Sequence, residues 1–534
     1  MKRCGIFNEA RSNFQIENGE GMKLVTVSQM VAIEKEANAR GLSYAEMMQN
    51  AGRGLAETAA EVLSENGWQN VFGLVGPGNN GGDTLIALTR LAEEGFRASA
   101  YVFKRRQDDE LVAQLLGAGG RATFAGADVD FDEAALSSAD VLLDGLLGTG
   151  FKLPLRDDAA AVLEQTLLAM ELMEEPPFVI AVDCPSGADC DSGETAPECI
   201  PADLTVCMAA VKRGLLKLPA FEFAGELTVV DIGLPLELDS FYGIQSEVAN
   251  HELVAGLLPE RPLDSHKGTF GTALIAAGSQ NYTGAALLAG SAAYRAGAGL
   301  VTLAVPEPLH PALAGQIPEA TWVLLPHEAG FISEKASEVL LNHIQRPTAF
   351  LLGPGLGTHP STAKFVEKAV SNVKLPTVID ADGLRHLAQV KDWRGKIPSS
   401  TALTPHIGEM SALTGLPREE ILQNKDEVAL KYAKEWGCVV VLKGAFTVIA
   451  SPDGKMTVIP VASPALARAG TGDVLAGLIV GLLAQGLNAY DAAVAGAFIH
   501  AQAGIAAAED LGSTASVLAG DLLDSIVDVM SGLE

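Results

Sequence analysis

From Met22 onward, short apolar runs alternate with longer segments whose apolar residues recur at helical spacing. Val71–Val75, Ala98–Phe103, Val141–Leu143, Phe178–Val182, Leu204–Cys207 and Leu227–Val230 are short and β-rich, so they predict strands. Helical stretches such as Thr84–Glu94 separate them. The rhythm starts again with Thr272–Ala277, Leu300–Val305, Phe350–Leu352, Thr377–Ile379 and Val439–Leu442. This alternation predicts an α/β fold, with parallel sheets covered on both faces. Between the two series, the stretch from Gly233 to Asp264 carries Pro235, Pro259 and Pro262, which sets a boundary near Ala249. The expected organisation is a first domain over 22–248 and a second over 249–534. Residues 1–21 are polar and aperiodic, and are expected to form a disordered extension.

Charge changes the picture by exclusion. Among 534 residues, 37 Lys+Arg face 66 Asp+Glu, a net charge of −29, and the densest basic patch is Lys104-Arg105-Arg106. No nucleic-acid partner is expected, because neutralising phosphates needs clustered cations. The 56 glycines are an excess that points to tight turns and to loops meeting a ligand with bare backbone. Six cysteines without metal-ligand spacing suit a reducing, cytoplasmic setting. No membrane partner is expected either. Val474–Tyr490 is interrupted by Gln485 and Asn488 and is too short to span a bilayer, and residues 1–21 lack a signal-peptide apolar core.

All nine histidines lie at or after His251, so any acid–base chemistry in the first domain must use carboxylates, Lys, Cys or Tyr. Gly76-Pro-Gly-Asn-Asn-Gly-Gly-Asp83 follows a predicted strand and precedes a helix, a context for backbone contact with phosphate. The plainer reading is a tight turn with Asp83 in the first helical turn. Asp144-Gly-Leu-Leu-Gly-Thr-Gly150 and Asp183-Cys-Pro-Ser-Gly187 end two further strands. Three strand ends carrying Asn or Asp with Gly predict a polar, oxygen-rich crevice at one sheet edge. In the second domain, Gly470-Thr-Gly-Asp473 opens an Ala/Leu/Gly helix: an anion hole with a base beside it, or an ordinary cap. Gly353-Pro-Gly355-Leu-Gly357, Asp380-Ala-Asp382, Thr404-Pro-His-Ile-Gly-Glu409 and Lys443-Gly444 end other strands. His310, His327, His343, His359 and His386 read as structural. P-loop, zincin and nucleophile-elbow motifs are absent from the sequence.

In this order, from Asn79-Asn80-Gly81-Gly82-Asp83 through His266-Lys-Gly268 to Gly470–Asp473, these motifs resemble the bifunctional NAD(P)H-hydrate repair enzymes. The resemblance implies a Rossmann-like three-layer epimerase domain followed by a ribokinase-like three-layer dehydratase domain. The first would interconvert the R and S forms of hydrated NADH or NADPH. The second would dehydrate the S form at the expense of ADP, giving AMP and phosphate. Asp183 would be the epimerase acid–base, with Asn79, Asn80, Gly81, Gly82, Asp83 and Gly148, Thr149, Gly150, Phe151, Lys152, Leu153 and Pro154 around the dinucleotide. Asn80, Asp144 and Ser186 would hold potassium. Asp473 would be the dehydratase base; Ala273, Gly355, His406 and Asp473 would line the hydrate pocket. Lys443, Gly444, Ala445, Phe446, Thr447 and Gly472 would contact ADP, with magnesium accompanying it. A cytoplasmic homo-oligomer is expected, and Lys267 and Lys443 would offset the acidic field. The alternative is a ribokinase-like vitamin or sugar kinase fused to a nucleotide-binding module.

Overall fold

The computed structural model describes residues 21–104, 110–126 and 131–534. The expected extension, apart from Gly21, and Arg105 and Arg106 of the basic patch lie outside the described residues. From Met22 the chain forms two compact units, Met22–Ser246 and Glu247–Glu534.

In the first unit, seven parallel strands run in the order Arg121–Phe124, Arg97–Val102, Asn70–Val75, Val141–Gly145, Phe178–Val182, Leu204–Met208, Glu226–Val230. Along Asn70–Val75, Val71 and Val75 join one hydrophobic cluster while Phe72 and Leu74 join another. The first cluster includes Ile33, Leu55 and Leu88 from helices Val27–Ala39, Tyr44–Asn66 and Asn79–Glu93. The second includes Val162 and Leu163 of helix Asp157–Glu171. Period-two alternation on strands that are buried on both sides therefore builds a three-layer unit. Arg121–Phe124 shows no apolar run because it lies at the sheet edge, partly exposed along its whole length.

The second unit repeats the design. Thr321–Leu325, Leu300–Pro306, Thr272–Ala276, Ala349–Leu352, Thr377–Ile379, Thr401–Leu403 and Val439–Leu442 are parallel neighbours in that order. Val448–Ala450 and Met456–Val458 extend the sheet antiparallel. The Ala/Gly-rich helices Thr283–Arg295 and Thr471–Ala484 could have met a second copy; instead they pack on each other within the core. A Cβ on Gly477 would stand 2.3 Å from the Ala289 carbonyl oxygen, so glycine is what lets the two backbones approach. Among the described residues no helix is long and apolar enough to cross a membrane.

Candidate functional site

Each sheet reverses its strand order once near the middle, between Asn70–Val75 and Val141–Gly145 in the first unit and between Thr272–Ala276 and Ala349–Leu352 in the second. Outside the carboxyl ends at such a switch point, diverging connections leave a crevice.

In the first unit this crevice is a cleft of about 1410 Å³. Of the residues expected around the dinucleotide, Asn79, Asn80, Gly81, Asp83, all of Gly148–Pro154 and Asp183 line it. Gly82 is buried in the helix and is not on the wall. That helix begins at Asn79, not near Thr84, so the Asn-Asn-Gly-Gly-Asp block is itself the opening of the helix and Asp83 falls beyond its first turn. Gly81 permits this early start: a Cβ there would stand 2.0 Å from the Gly76 carbonyl oxygen.

Asp144, at the end of its strand, is fully buried. Burial pushes its carboxyl up, while hydrogen bonds from Ser186 pull the other way. The Ser186 backbone N–H donates to Oδ2 at 2.8 Å and its hydroxyl to Oδ1 at 2.6 Å. The Asn80 amide donates to the Val182 and Leu147 carbonyls, next to the Ser186 hydroxyl that accepts from Leu147 N–H. Asn80, Asp144 and Ser186 thus converge, and no amine or guanidinium among the described residues pairs with Asp144.

Asp183 follows its strand with φ +67°, an αL conformation that Asp tolerates better than most residues. Its Oδ1 accepts from Met208 N–H at 2.8 Å and from the Lys212 ammonium. Lys212 is fully buried and also donates to the Met208 carbonyl at 3.1 Å. Burial is the largest single influence and works against that ammonium, but the charge and hydrogen bond of Asp183, with the neighbouring cysteines, together outweigh it, and the Lys212 pKa ends raised. Asp183 lines the cleft, and its hydrogen bonds from Met208 N–H and Lys212 both fall on Oδ1, neither on Oδ2. Sequence reasoning missed Lys212; its one visible signal is a lysine among apolar neighbours in Met208–Val211. Lys212→Met should destabilise this unit by about 3–5 kcal/mol by leaving a buried carboxylate unpaired. Urea unfolding of the full chain checks this.

In the second unit, Lys443 Nζ pairs with Asp380 Oδ1 at 2.6 Å, and the Thr404 hydroxyl donates to the same oxygen at 2.6 Å. Lys443 therefore does not offset the acidic field as expected, because its charge is already matched; Lys267 is exposed. Gly470 caps helix Thr471–Ala484, which puts Asp473 in the first turn. Burial, then the charge of Asp380, pushes the Asp473 carboxyl up to about 7, against the pull of Lys443. His406 caps helix Ile407–Thr414: Nδ1 accepts from Gly408 N–H at 2.9 Å and Glu409 N–H at 3.2 Å, so Nε2 carries the proton and faces Glu409 Oε1 at 3.3 Å. Lys443 and His406 are backbone neighbours through a parallel bridge. The Gly355 carbonyl accepts from the Ser279 hydroxyl at 2.8 Å.

Ala273 is a correction. It is fully buried near the start of strand Thr272–Ala276, inside the hydrophobic core and away from the carboxyl edge that carries the other residues, so it cannot line the hydrate pocket.

Two supports were invisible in the sequence. Lys425 Nζ donates to the Ala445 and Phe446 carbonyls at 2.7 and 2.8 Å, holding the Lys443–Thr447 loop, and burial draws its amine down to about 8. His500 Nε2 donates to the Thr471 carbonyl at 2.9 Å, bracing the Gly470–Asp473 turn. Burial lowers the His500 pKa to about 4. The native ring therefore stays neutral while the unfolded ring protonates below pH ~6.5. Stability should fall by about 3 kcal/mol as pH drops from ~6.5 to ~4, and His500→Gln should flatten that slope in thermal melts.

Two α/β units, each with glycine-rich turns and a carboxylate beside them, define a two-domain α/β protein with a candidate site in each unit. Residues 273–528 match the family described as NAD(P)H-hydrate dehydratase, and residues 44–214 match the YjeF-related protein N-terminus. The chain is 35% identical over 528 residues to the bifunctional NAD(P)H-hydrate repair enzyme Nnr of Moorella thermoacetica, covering 96% of this chain and 97% of that one. To its Salinibacter ruber counterpart it is 36% identical over 510 residues, covering 91% and 92%. The chain belongs to the bifunctional NAD(P)H-hydrate repair enzymes. Among solved structures, it is similar to the ADP/ATP-dependent NAD(P)H-hydrate dehydratase of Bacillus subtilis co-crystallized with ATP/Mg2+: 34% identity, 54% of this chain, 98% of that chain, TM-score 0.47. A vitamin or sugar kinase fused to a binding module is not favoured, because the relatives match across both units under one name.

Proposed function

We propose that the first unit interconverts the R and S forms of hydrated NADH or NADPH, and that the second dehydrates the S form using ADP. The observation that carries this reading is a carboxyl at each switch point with its surroundings fixed: Asp183 held by Lys212 on the cleft wall, Asp473 beside the Lys443–Asp380 pair. Epimerisation needs the hydroxyl on ring carbon 6 to leave as water and water to return on the other face. Asp183 Oδ2 supplies a proton-transfer site there, worth roughly 10²–10⁴ in rate. In the second unit, Asp473 takes the proton of the substrate hydroxyl as it attacks the terminal phosphoryl of ADP. The N–H groups of the Gly470–Asp473 turn face the developing charge. AMP leaves with the electrons of the broken anhydride bond. The phosphate on carbon 6 then departs with its bonding pair, the adjacent ring carbon loses a proton to solvent, and the ring double bond returns. The loop Lys443–Thr447, braced by Lys425, contacts ADP.

Potassium suits Asn80, Asp144 and Ser186, because Asp144 is a buried carboxylate lacking a cationic partner among the described residues and its neighbours offer hydroxyl, amide and carbonyl oxygens. Bound there, the ion supplies the countercharge. Magnesium would enter with ADP and neutralise phosphate charge; Asp380 is already engaged by Lys443 and Thr404 and Asp382 by Arg385 and the Gly357 N–H, so no protein ligand set is assigned to it.

The test is to incubate the full chain with mixed R and S hydrated NADH plus ADP or ATP and follow the reduced-nicotinamide absorbance. Complete recovery is expected; recovery of only the S half would remove the epimerase assignment. A base with pKa about 7 is protonated below that value. The dehydratase kcat/KM for the S form should therefore fall about tenfold per pH unit below ~7 and level off above it.

A further inference from the structure

Two helices, Val27–Ala39 and Tyr44–Asn66, contribute part of the wall of the first-unit cleft. From the first come Val27, Met30, Val31 and Glu34, which are positions three and four apart and so form one helix face. The second adds Tyr44, Met47, Met48 and neighbours. Glu34 is the one carboxyl that either helix gives to the lining. It is half-buried, and no hydrogen bond or ion pair holds it among the described residues. A partnerless carboxyl on a mostly apolar wall, where Gln49 and Tyr44 are the other polar side chains, and near enough for the Asp183 charge to reach it, needs a purpose: desolvating an acid without a partner costs stability.

Epimerisation supplies one. The hydroxyl leaves carbon 6 from one face and water returns on the other, so proton transfers are needed on both sides of the ring. Asp183 is pinned at Oδ1 by Lys212 and Met208 N–H, and a pinned carboxylate reaches one face. Resting on the epimerase reading above, we propose that Glu34 is the second catalytic residue of the first unit and serves the ring face that Asp183 does not. In one direction, Glu34 donates its proton to the departing hydroxyl. The carbon–oxygen bond breaks, its electron pair leaves with the oxygen as water, and the ring nitrogen lone pair stabilises the cation that remains. A water on the Asp183 side then bonds to carbon 6 and gives its proton to Asp183. The reverse direction exchanges the two roles. Burial first, then the nearby Asp183 charge, raises the Glu34 pKa despite the opposing Lys212 charge, and this favours its acid form.

The experiment compares Glu34→Gln, Glu34→Asp and wild-type full-length chains on purified R epimer with ADP, under conditions where epimerisation limits the rate. Titratable groups facing Glu34 are Asp183 and Lys212, and neither is altered. Glu34→Gln should slow R consumption roughly 100-fold or more and leave S consumption unchanged. Glu34→Asp should recover part of the rate and displace the alkaline limb of its pH profile. Wild-type R consumption in Glu34→Gln, with Asp183→Asn inactive, would overturn the proposal while leaving the epimerase reading intact. Equal losses in both Glu34 variants with an unmoved pH profile would also overturn it, marking Glu34 as structural. Failure of the epimerase reading looks different: the wild-type chain itself would leave the R epimer untouched.

Discussion

Asp473→Asn should abolish ADP-dependent recovery of NADH from the S epimer, by roughly 10³-fold or more, and leave R/S interconversion untouched. Asn matches Asp in shape, so the turn at Gly470–Asp473 and the Lys443–Asp380 pair should persist; what goes is the capacity to accept a proton. The same change should stabilise the fold. Asp473 ionises only at about 7 in the native state because it is desolvated and lies close to the like charges of Asp380 and Asp382. Above that pH its charge costs the folded state on the order of 4 kcal/mol relative to the unfolded chain. As pH falls through 7 the native carboxyl protonates and the cost fades. A melting temperature that is higher in Asp473→Asn at pH ~8, with the gap closing towards pH ~5, would accompany the loss of turnover. Surviving dehydratase turnover would remove Asp473 as the base, whatever the melting curve does.

Asp183→Asn should confine the enzyme to the S epimer. From an equal mixture, half of the reduced nicotinamide should return quickly. The remainder should follow only at the uncatalysed epimerisation rate, a loss of roughly 10²–10⁴. Either Asn or Ala breaks the buried ion pair with Lys212, at a cost of about 3–5 kcal/mol. The amide is preferred because its oxygen still accepts from Lys212 and the Met208 N–H, whereas Ala leaves both without an acceptor there. An intact dehydratase rate on pure S epimer is the internal control. Consumption of the whole R/S mixture at the wild-type rate would refute the role of Asp183.

Local motifs made much of both sites readable. Asn79–Asp83, Asp144, Gly148–Pro154 and Asp183 stand at strand ends, and strand ends are visible as the points where an apolar run gives way to Gly and Asp. Groups that act by support were not visible. Lys212, Lys425 and His500 look like any other Lys or His, and only burial against a particular carboxylate or carbonyl distinguishes them. Ala273 shows the opposite error: a residue placed in the pocket by resemblance sits at the wrong end of its strand. Lys443 shows a third: a cation counted as available to an anionic substrate is already neutralised by Asp380, a partner 63 positions away.

By itself, then, the sequence determined the α/β class, the two series of strands, the motifs at their carboxyl ends, and the lack of any histidine in the first series. These follow from local periodicity and from residue types, which a chain carries whether folded or not. The tertiary structure alone decided the strand order that sets the switch points and the packing of the two small-residue helices in one core. It also decided the pairing of Asp183 with Lys212 and of Lys443 with Asp380, and the presence of Glu34 on the cleft wall. Each of these depends on which distant segments meet and on how much water they exclude. Charges in contact at low dielectric change one another's protonation, and no local pattern records that.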